Sequence, residues 1–140
     1  MKNSNLSPKD QMQVHVIFGR PRAGKTGRLI QEMNACGGSA LLFSLENPEF
    51  LLRERGLRDV VPVVDKLDLE CLDAQIRPTV KVVGLENLEL LDQAVSLTDL
   101  CSRLQSAGVH RFIATCHLRR DLRPASEKRL NGVSYTSETL

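Results

Sequence analysis

Short apolar runs alternate along the chain with longer segments of helical periodicity. Five runs, bounded by glycine, proline or polar residues, are typical of buried strands: 14–18, 40–45, 60–64, 80–83 and 111–115. Four helices are predicted between them, at about 25–34, 48–56, 67–76 and 93–107. Strands that alternate with helices form crossover units. The pattern therefore predicts an α/β fold with a mostly parallel central sheet and helices on both faces.

Individual residues place some of the boundaries. Asn47 followed by Pro48 is typical of a helix start, because asparagine caps a helix and proline fits its first turn. Pro62 lacks a backbone N–H, which restricts the third strand to an edge of the sheet. Gly84 is expected to end the fourth strand, and beyond His117 the chain is polar with little periodicity.

The length of 140 residues predicts one domain with its own core. We expect a flexible N-terminal arm at 1–12, the folded domain at 13–116 and a basic, partly flexible C-terminal tail at 117–140. No apolar run approaches the ~20 residues that span a bilayer. The polar N-terminus lacks the apolar segment of a signal peptide. These features predict a cytoplasmic protein without a membrane span.

Charge and cysteine content refine this picture. Five basic and three acidic side chains lie in 117–140, so this segment accounts for the whole formal net charge of +2. A basic tail is compatible with a nucleic-acid partner, and equally with a segment that only keeps the chain solvated. The four cysteines form no C-x-x-C pair, which argues against a zinc site and for small buried side chains.

The segment that joins the first strand to the first helix fits the pattern G-x-x-x-x-G-K-[ST]. Its backbone N–H groups and the start of the helix can hold phosphate oxygens, the lysine adds a positive charge, and the threonine hydroxyl can bind Mg²⁺. We therefore predict that it binds ATP with Mg²⁺ through the residues Gly19, Arg20, Pro21, Arg22, Ala23, Gly24, Lys25, Thr26 and Gly27.

Other candidates for the site follow the ends of the predicted strands, where ligands bind to parallel sheets. Glu46 follows the second strand and is either a catalytic carboxylate or an acid that caps the next helix. Glu86 is either a metal ligand beside Thr26 or a solvated loop residue, and the solvated interpretation is favoured. His117 follows the last strand and is either catalytic or structural.

Four segments resemble, in order and spacing, the RecA-like ATPase core of DnaB-type replicative helicases. They are GRPRAGKT, LLFSLENP, VKVVGLENLELL and FIATCHLRRDL. The resemblance implies a RecA-like P-loop fold and assigns Lys25 and Thr26 to phosphate and Mg²⁺. It also implies that Glu46 activates water and that His117 occupies the position of a γ-phosphate sensor. Arg119, Arg120 and Arg123 would lie near a loop that faces DNA.

Two departures from that family bear on activity. Gly84 stands where the family has a magnesium-binding aspartate, and the chain ends before the strands that supply an arginine finger to a neighbouring subunit. We therefore expect a reduced relative: a weak ATPase accessory to DNA replication, transfer or maintenance, with DNA or a DNA-processing protein as partner and a homo-oligomeric assembly. The alternatives are a nucleotide-gated regulator without turnover and a small-molecule kinase similar to thymidine kinases.

Overall fold

The computed structural model describes residues 11–92 and 94–140, so the first ten residues of the predicted arm lie outside the described residues. Six strands form one sheet: β1 (Gln13–Gly19), β2 (Ala40–Phe43), β3 (Val63–Val64), β4 (Val82–Leu85), β5 (Arg111–His117) and β6 (Thr136–Thr139). Their order across the sheet is β3-β2-β4-β5-β1-β6, and every neighbouring pair is parallel. The predicted α/β architecture with a parallel sheet is confirmed at this level.

The connections between strands hold the helices. They are α1 (Lys25–Cys36), α2 (Pro48–Glu54), α3 (Leu72–Gln75), α4 (Leu97–Ser106) and α5 (Glu127–Leu130). The segment predicted as a helix at 67–76 is shorter than expected, with a 3₁₀ turn at Leu69–Cys71 leading into α3. Within the described residues, no helix combines the length and apolar character needed to cross a membrane.

Alternation along the strands divides the core into two layers. Ile17, Leu42 and Ile113 lie on the face that packs against α1 and α2. Phe43 on β2 and Phe112 on β5 lie on the opposite face, which packs against α3, α4 and α5. Helices therefore cover both faces of the sheet, as parallel strands require.

Residues 117–140, predicted as a partly flexible tail, contribute the end of β5, helix α5 and the edge strand β6. The side chain of Glu138 on β6 accepts hydrogen bonds from His15 on β1 and Arg28 on α1, at 2.9 and 3.1 Å. Arg28 also pairs with Glu32, which in turn pairs with Arg111 on β5 at 2.6 Å. This ion-pair network joins β6 to the helix and the two strands beside it.

Gly84 lies inside β4 and does not end the strand, so the expected boundary is wrong. Helix α1 crosses the sheet so closely here that a Cβ atom at Gly84 would lie 2.8 Å from Met33 Sδ and 3.2 Å from Leu29 Cδ1. The glycine is therefore required by the packing of α1 on the sheet, and β4 continues to Leu85.

Gly84→Val should destabilise the fold by about 1–3 kcal/mol, because its methyl groups must displace the fully buried Met33 and Leu29 side chains. Urea unfolding at neutral pH measures this change. Gly38→Ala is the matched control, since a Cβ there meets no atom within 4 Å. A Gly84→Val protein as stable as the control would contradict the packing argument.

Glu32 should make the free energy of unfolding depend on pH in the acidic range. Hydrogen bonds from Arg28 and then Arg111 lower the pKa of the Glu32 carboxyl below its ordinary value. A carboxyl with a lowered pKa in the folded state stabilises above its unfolded pKa, near 4.3, and loses that contribution as the pH falls through its folded pKa. Glu32→Gln should therefore cost about 2 kcal/mol at pH 7 and much less at about pH 3.

Urea midpoints of the wild type and Glu32→Gln, measured between these two pH values, test this dependence. Glu49→Gln is the control, because Glu49 and its partner Arg53 are both largely exposed. An equal loss of stability at both pH values would show that the Glu32 ion pairs do not titrate as expected.

Candidate functional site

Polar side chains gather where β2, β4 and β5 end, on the face of the sheet that α1 covers. They surround a cavity of about 520 Å³ between these strand ends and the loop that follows β1. Its lining includes Arg22, Gly24, Lys25, Thr26, Gly27, Glu46, Glu86, Asn87, Thr115 and His117. The structure therefore brings the loop, both candidate carboxylates and the candidate histidine to one cavity.

The loop between β1 and α1 depends on its two bracketing glycines. A Cβ atom at Gly19 would lie 3.0 Å from both Lys25 Cγ and Ala23 Cβ, so a side chain here would crowd the loop and the lysine stem. Gly24 has a φ of 98°, a left-handed conformation that glycine adopts without strain, and α1 begins at the next residue. Between them, Arg20 and Arg22 are exposed, and Arg22 also lines the cavity.

The remaining loop residues complete the turn. The backbone N–H of Ala23 donates to the Arg20 carbonyl at 3.0 Å and so closes a turn around Pro21. Gly27 lies in the first turn of α1 and lines the cavity. The whole predicted segment therefore forms a tight, helix-initiating loop.

Lys25 is buried although it carries a charge. Its side chain is only 8 % exposed, and its ammonium donates to the Arg20 carbonyl at 3.0 Å. Burial lowers the pKa of Lys25, and the nearby acidic groups Glu89 and Cys116 partly oppose that shift. An anion beside the ammonium would offset the cost of burying this charge.

Glu86 follows β4 directly and holds the site together. Its Oε2 accepts a hydrogen bond from Thr26 Oγ1 at 2.7 Å, and its Oε1 accepts one from Ser44 Oγ at 2.5 Å. Glu86 lies two residues after Gly84, so both face α1. Interpretation of Glu86 as a solvated loop residue is therefore wrong, because its carboxylate is bound from two sides.

Glu46 lies at the mouth of the cavity. Its side chain is exposed, and its backbone N–H donates to Ser44 Oγ at 3.0 Å. The alternative role of Glu46 as a helix-capping acid is wrong, because Asn47 caps α2 by accepting from the Glu49 N–H at 2.8 Å. Ser44 thereby connects the backbone of Glu46 to the carboxylate of Glu86.

His117 closes the cavity at the end of β5. Its Nε2 lies 3.3 Å from Asn87 Nδ2, and its backbone N–H donates to Glu89 Oε1 at 2.8 Å. Asn87 has a φ of 76°, and its backbone N–H donates to Thr115 Oγ1 at 2.7 Å. Within the described residues, His117 Nδ1 and Glu89 Oε2 are buried without a hydrogen-bond partner. The loop after β4 is therefore bound to the end of β5.

Sequence reasoning missed four polar residues that support the site: Ser44, Asn87, Glu89 and Thr115. Strand alternation could have found Ser44 and Thr115. Each lies in or directly after an apolar run and at the same alternation as residues facing α1. Asn87 and Glu89 carry no such signal, because they lie in a loop whose path depends on the neighbouring strand.

The three candidate DNA-binding arginines lie together on an exposed loop after β5. Leu118 and Pro124 form an antiparallel bridge that closes this loop, and Arg119 pairs with Asp121 at 3.2 Å. Arg119, Arg120 and Arg123 are all exposed. They are outside the lining of the cavity beside α1, although their loop starts next to His117.

No protein-family model matches the chain, and no curated protein is significantly similar to it in sequence. Inference about function therefore depends on the site itself. Its chemical content is a buried ammonium, a helix N-terminus and a hydroxyl–carboxylate pair that share one cavity.

Proposed function

We propose that the protein is a RecA-like P-loop ATPase that binds ATP with Mg²⁺ in the cavity beside α1. The contact between Thr26 Oγ1 and Glu86 Oε2, at 2.7 Å, carries this proposal. It joins the hydroxyl that ends the phosphate-loop pattern to a carboxylate at the end of a strand elsewhere in the sheet. Such a pair has no evident structural need, because the sheet and α1 already pack through their apolar side chains.

The donor atoms suit magnesium. Mg²⁺ prefers hard oxygen ligands, and it is commonly bound by one or two protein oxygens together with water and substrate phosphates. Thr26 and Glu86 supply such oxygens. Within the described residues, no cluster of three or more His, Cys, Asp or Glu side chains could hold a metal ion. Magnesium at this site would therefore depend on phosphate oxygens for part of its coordination.

Lys25 and the start of α1 supply the phosphate-binding elements. The Lys25 ammonium lies in the cavity with only its own loop carbonyl as a hydrogen-bond acceptor among the described residues. The backbone N–H groups at the start of α1 follow Gly24, and the helix dipole adds positive potential there. These groups bind and orient a polyphosphate, and bound Mg²⁺ would neutralise part of its charge.

Hydrolysis requires a group that orients and deprotonates water. Glu46 is the candidate, because its carboxylate lines the cavity and its backbone is fixed through Ser44 to Glu86. His117 lines the same cavity through β5, where Asn87 orients its ring. We propose that His117 senses the terminal phosphate and transmits its presence to the loop after β4.

Binding without turnover is the second candidate function. The exposure of Glu46 favours it, since general-base catalysis needs a carboxylate held in position. A protein of this kind would act as a nucleotide-gated regulator or assembly subunit. Turnover measurements separate the two functions.

Three substitutions test the proposal by separating binding, metal and chemistry. Lys25→Ala should weaken ATP binding by about 10- to 100-fold, since it removes a charged hydrogen-bond donor. Glu86→Gln should lose most of the Mg²⁺-dependent part of the affinity. Glu46→Gln should bind ATP normally while its turnover falls by about 10²–10⁴-fold. Isothermal titration with and without Mg²⁺, together with phosphate release, measures all three.

Glu49→Gln is the control, because Glu49 is an exposed carboxylate on α2 outside the cavity lining. Unchanged ATP affinity in Lys25→Ala would refute the binding site. Normal affinity with no detectable turnover in the wild type would support the second candidate instead.

The exposed arginine loop supports a role in handling DNA. Three guanidinium groups on one loop beside the proposed sensor His117 would place phosphate contacts next to the nucleotide site. Asp121 neutralises part of this charge through Arg119. We propose that the protein contacts DNA or a DNA-processing partner through this loop.

Replacing Arg119, Arg120 and Arg123 together with glutamine should reduce the salt dependence of binding to single-stranded DNA. Three lost phosphate contacts correspond to a decrease of about 2 in the slope of log K against log salt. Fluorescence anisotropy over a range of salt concentrations measures this slope. Arg53→Gln with Arg77→Gln and Lys128→Gln is the control, because it also removes three positive charges from exposed positions elsewhere. An equal change in the control would assign the effect to net charge rather than to the loop.

A further inference from the structure

A second cavity lies across Glu86 from the phosphate loop. Its volume is about 330 Å³, and it opens where β2, β3 and β4 end. Phe43, Leu85 and Leu91 line it, and these residues belong to the core layer on the face away from α1. The two cavities therefore lie on opposite faces of the sheet, at the carboxyl ends of its strands, and Glu86 lines both.

Two large apolar side chains are exposed at the mouth of this second cavity. Leu45 is 65 % exposed and Leu90 is 50 % exposed, and both side chains line the two cavities. Large exposed apolar side chains beside a concave apolar site mark ligand contact more often than single leucines on a flat surface do. The body of a ligand here would be apolar.

The charged residues around this cavity indicate which chemical group the other end of the ligand carries. Among the described residues, three acidic side chains and one ammonium belong to the lining of this cavity: Asp65, Glu86, Asp92 and Lys66. The Glu86 carboxylate already accepts hydrogen bonds from Thr26 and Ser44, so Asp65 and Asp92 are the carboxylates without those contacts. Asp65 directly follows β3 and Asp92 follows the 3₁₀ turn after β4, so the acidic groups come from separate segments around the opening. The net negative charge of these residues favours a cationic ligand group.

We propose that this cavity binds a small organic cation, with an apolar body against Phe43, Leu85 and Leu91 and a protonated amine among the carboxylates. The volume lies at the lower end of the range for small-molecule sites, which suits one ring or a short aliphatic chain. This ligand site adjoins the proposed nucleotide cavity and shares Leu45, Glu86 and Leu90 with it.

Glu86 couples the two sites if the proposed Mg²⁺-nucleotide site is correct, and this part of the inference rests on the proposed function. Magnesium at Glu86 would use the carboxylate charge that attracts the amine. Bound Mg²⁺-ATP should therefore weaken amine binding, and the amine should weaken Mg²⁺-ATP binding by the same factor.

Benzylamine is the probe, with benzoate and benzyl alcohol as matched ligands of other charge. Titration followed by backbone amide NMR should shift the signals of Leu67, Leu85 and Leu91, with a dissociation constant on the order of 1 mM for so small a ligand. Benzyl alcohol should bind several-fold more weakly and benzoate not measurably. Asp65→Asn with Asp92→Asn should weaken benzylamine about threefold to tenfold.

The substitution at Asp92 keeps an oxygen that can accept from the Ala94 N–H, so the local turn has its acceptor. Asp59→Asn is the control, because Asp59 is an exposed carboxylate before the amino end of β3 and outside the cavity lining. Benzylamine affinity in the control should equal that of the wild type.

Equal binding of benzylamine and benzoate would overturn the proposal, as would signal shifts confined to other parts of the chain or no binding of benzylamine. Shifts of the same signals with protein concentration alone would assign the cavity to a second copy of the chain and also overturn it. Benzylamine binding that does not respond to Mg²⁺-ATP would leave the cation site standing and refute the coupling. Failure of the nucleotide site is measured separately, by ATP affinity in Lys25→Ala.

Discussion

The close packing of α1 on β4 at Gly84 is the constraint on which the site depends. The absence of a side chain at this position lets Met33 and Leu29 lie directly on the sheet. The start of the helix is then near enough to the strand end for Thr26 to donate to Glu86. A larger residue at Gly84 would have to displace the buried Met33 and Leu29 side chains through which α1 packs here. Core packing and the candidate chemistry thus depend on the same contact.

Strand alternation then sorts the remaining groups between two sides of the sheet edge. Glu86 and Thr115 face α1 and line the polar cavity, while Phe43 and Leu85 face away and line the apolar one. Successive side chains of a strand point to opposite faces. A carboxylate that faces α1 from β4 must therefore lie an even number of residues from Gly84. Glu86 is one such step beyond Gly84.

Local patterns predicted the architecture and the loop, since strand runs, helix periodicity and the glycine bracket are written in neighbouring residues. The end of β4 was missed because a glycine after an apolar run is typical of a strand end. Gly84 is instead needed for close packing against Met33 on α1, which is far away in sequence. Strand β6 was missed because its polar sequence has no apolar alternation. It pairs in parallel with β1, and Glu138 accepts hydrogen bonds from His15 and Arg28, more than 100 residues away along the chain.

The two edges of the sheet have a consequence for assembly. One edge is β3, only two residues long and preceded by Pro62, and the other is β6, four residues long and made of Thr136–Thr139 with Glu138 among them. Short strands, proline and charge are the features by which natural sheets prevent edge-to-edge pairing with other chains. A continuous intermolecular sheet between copies of this protein is therefore disfavoured.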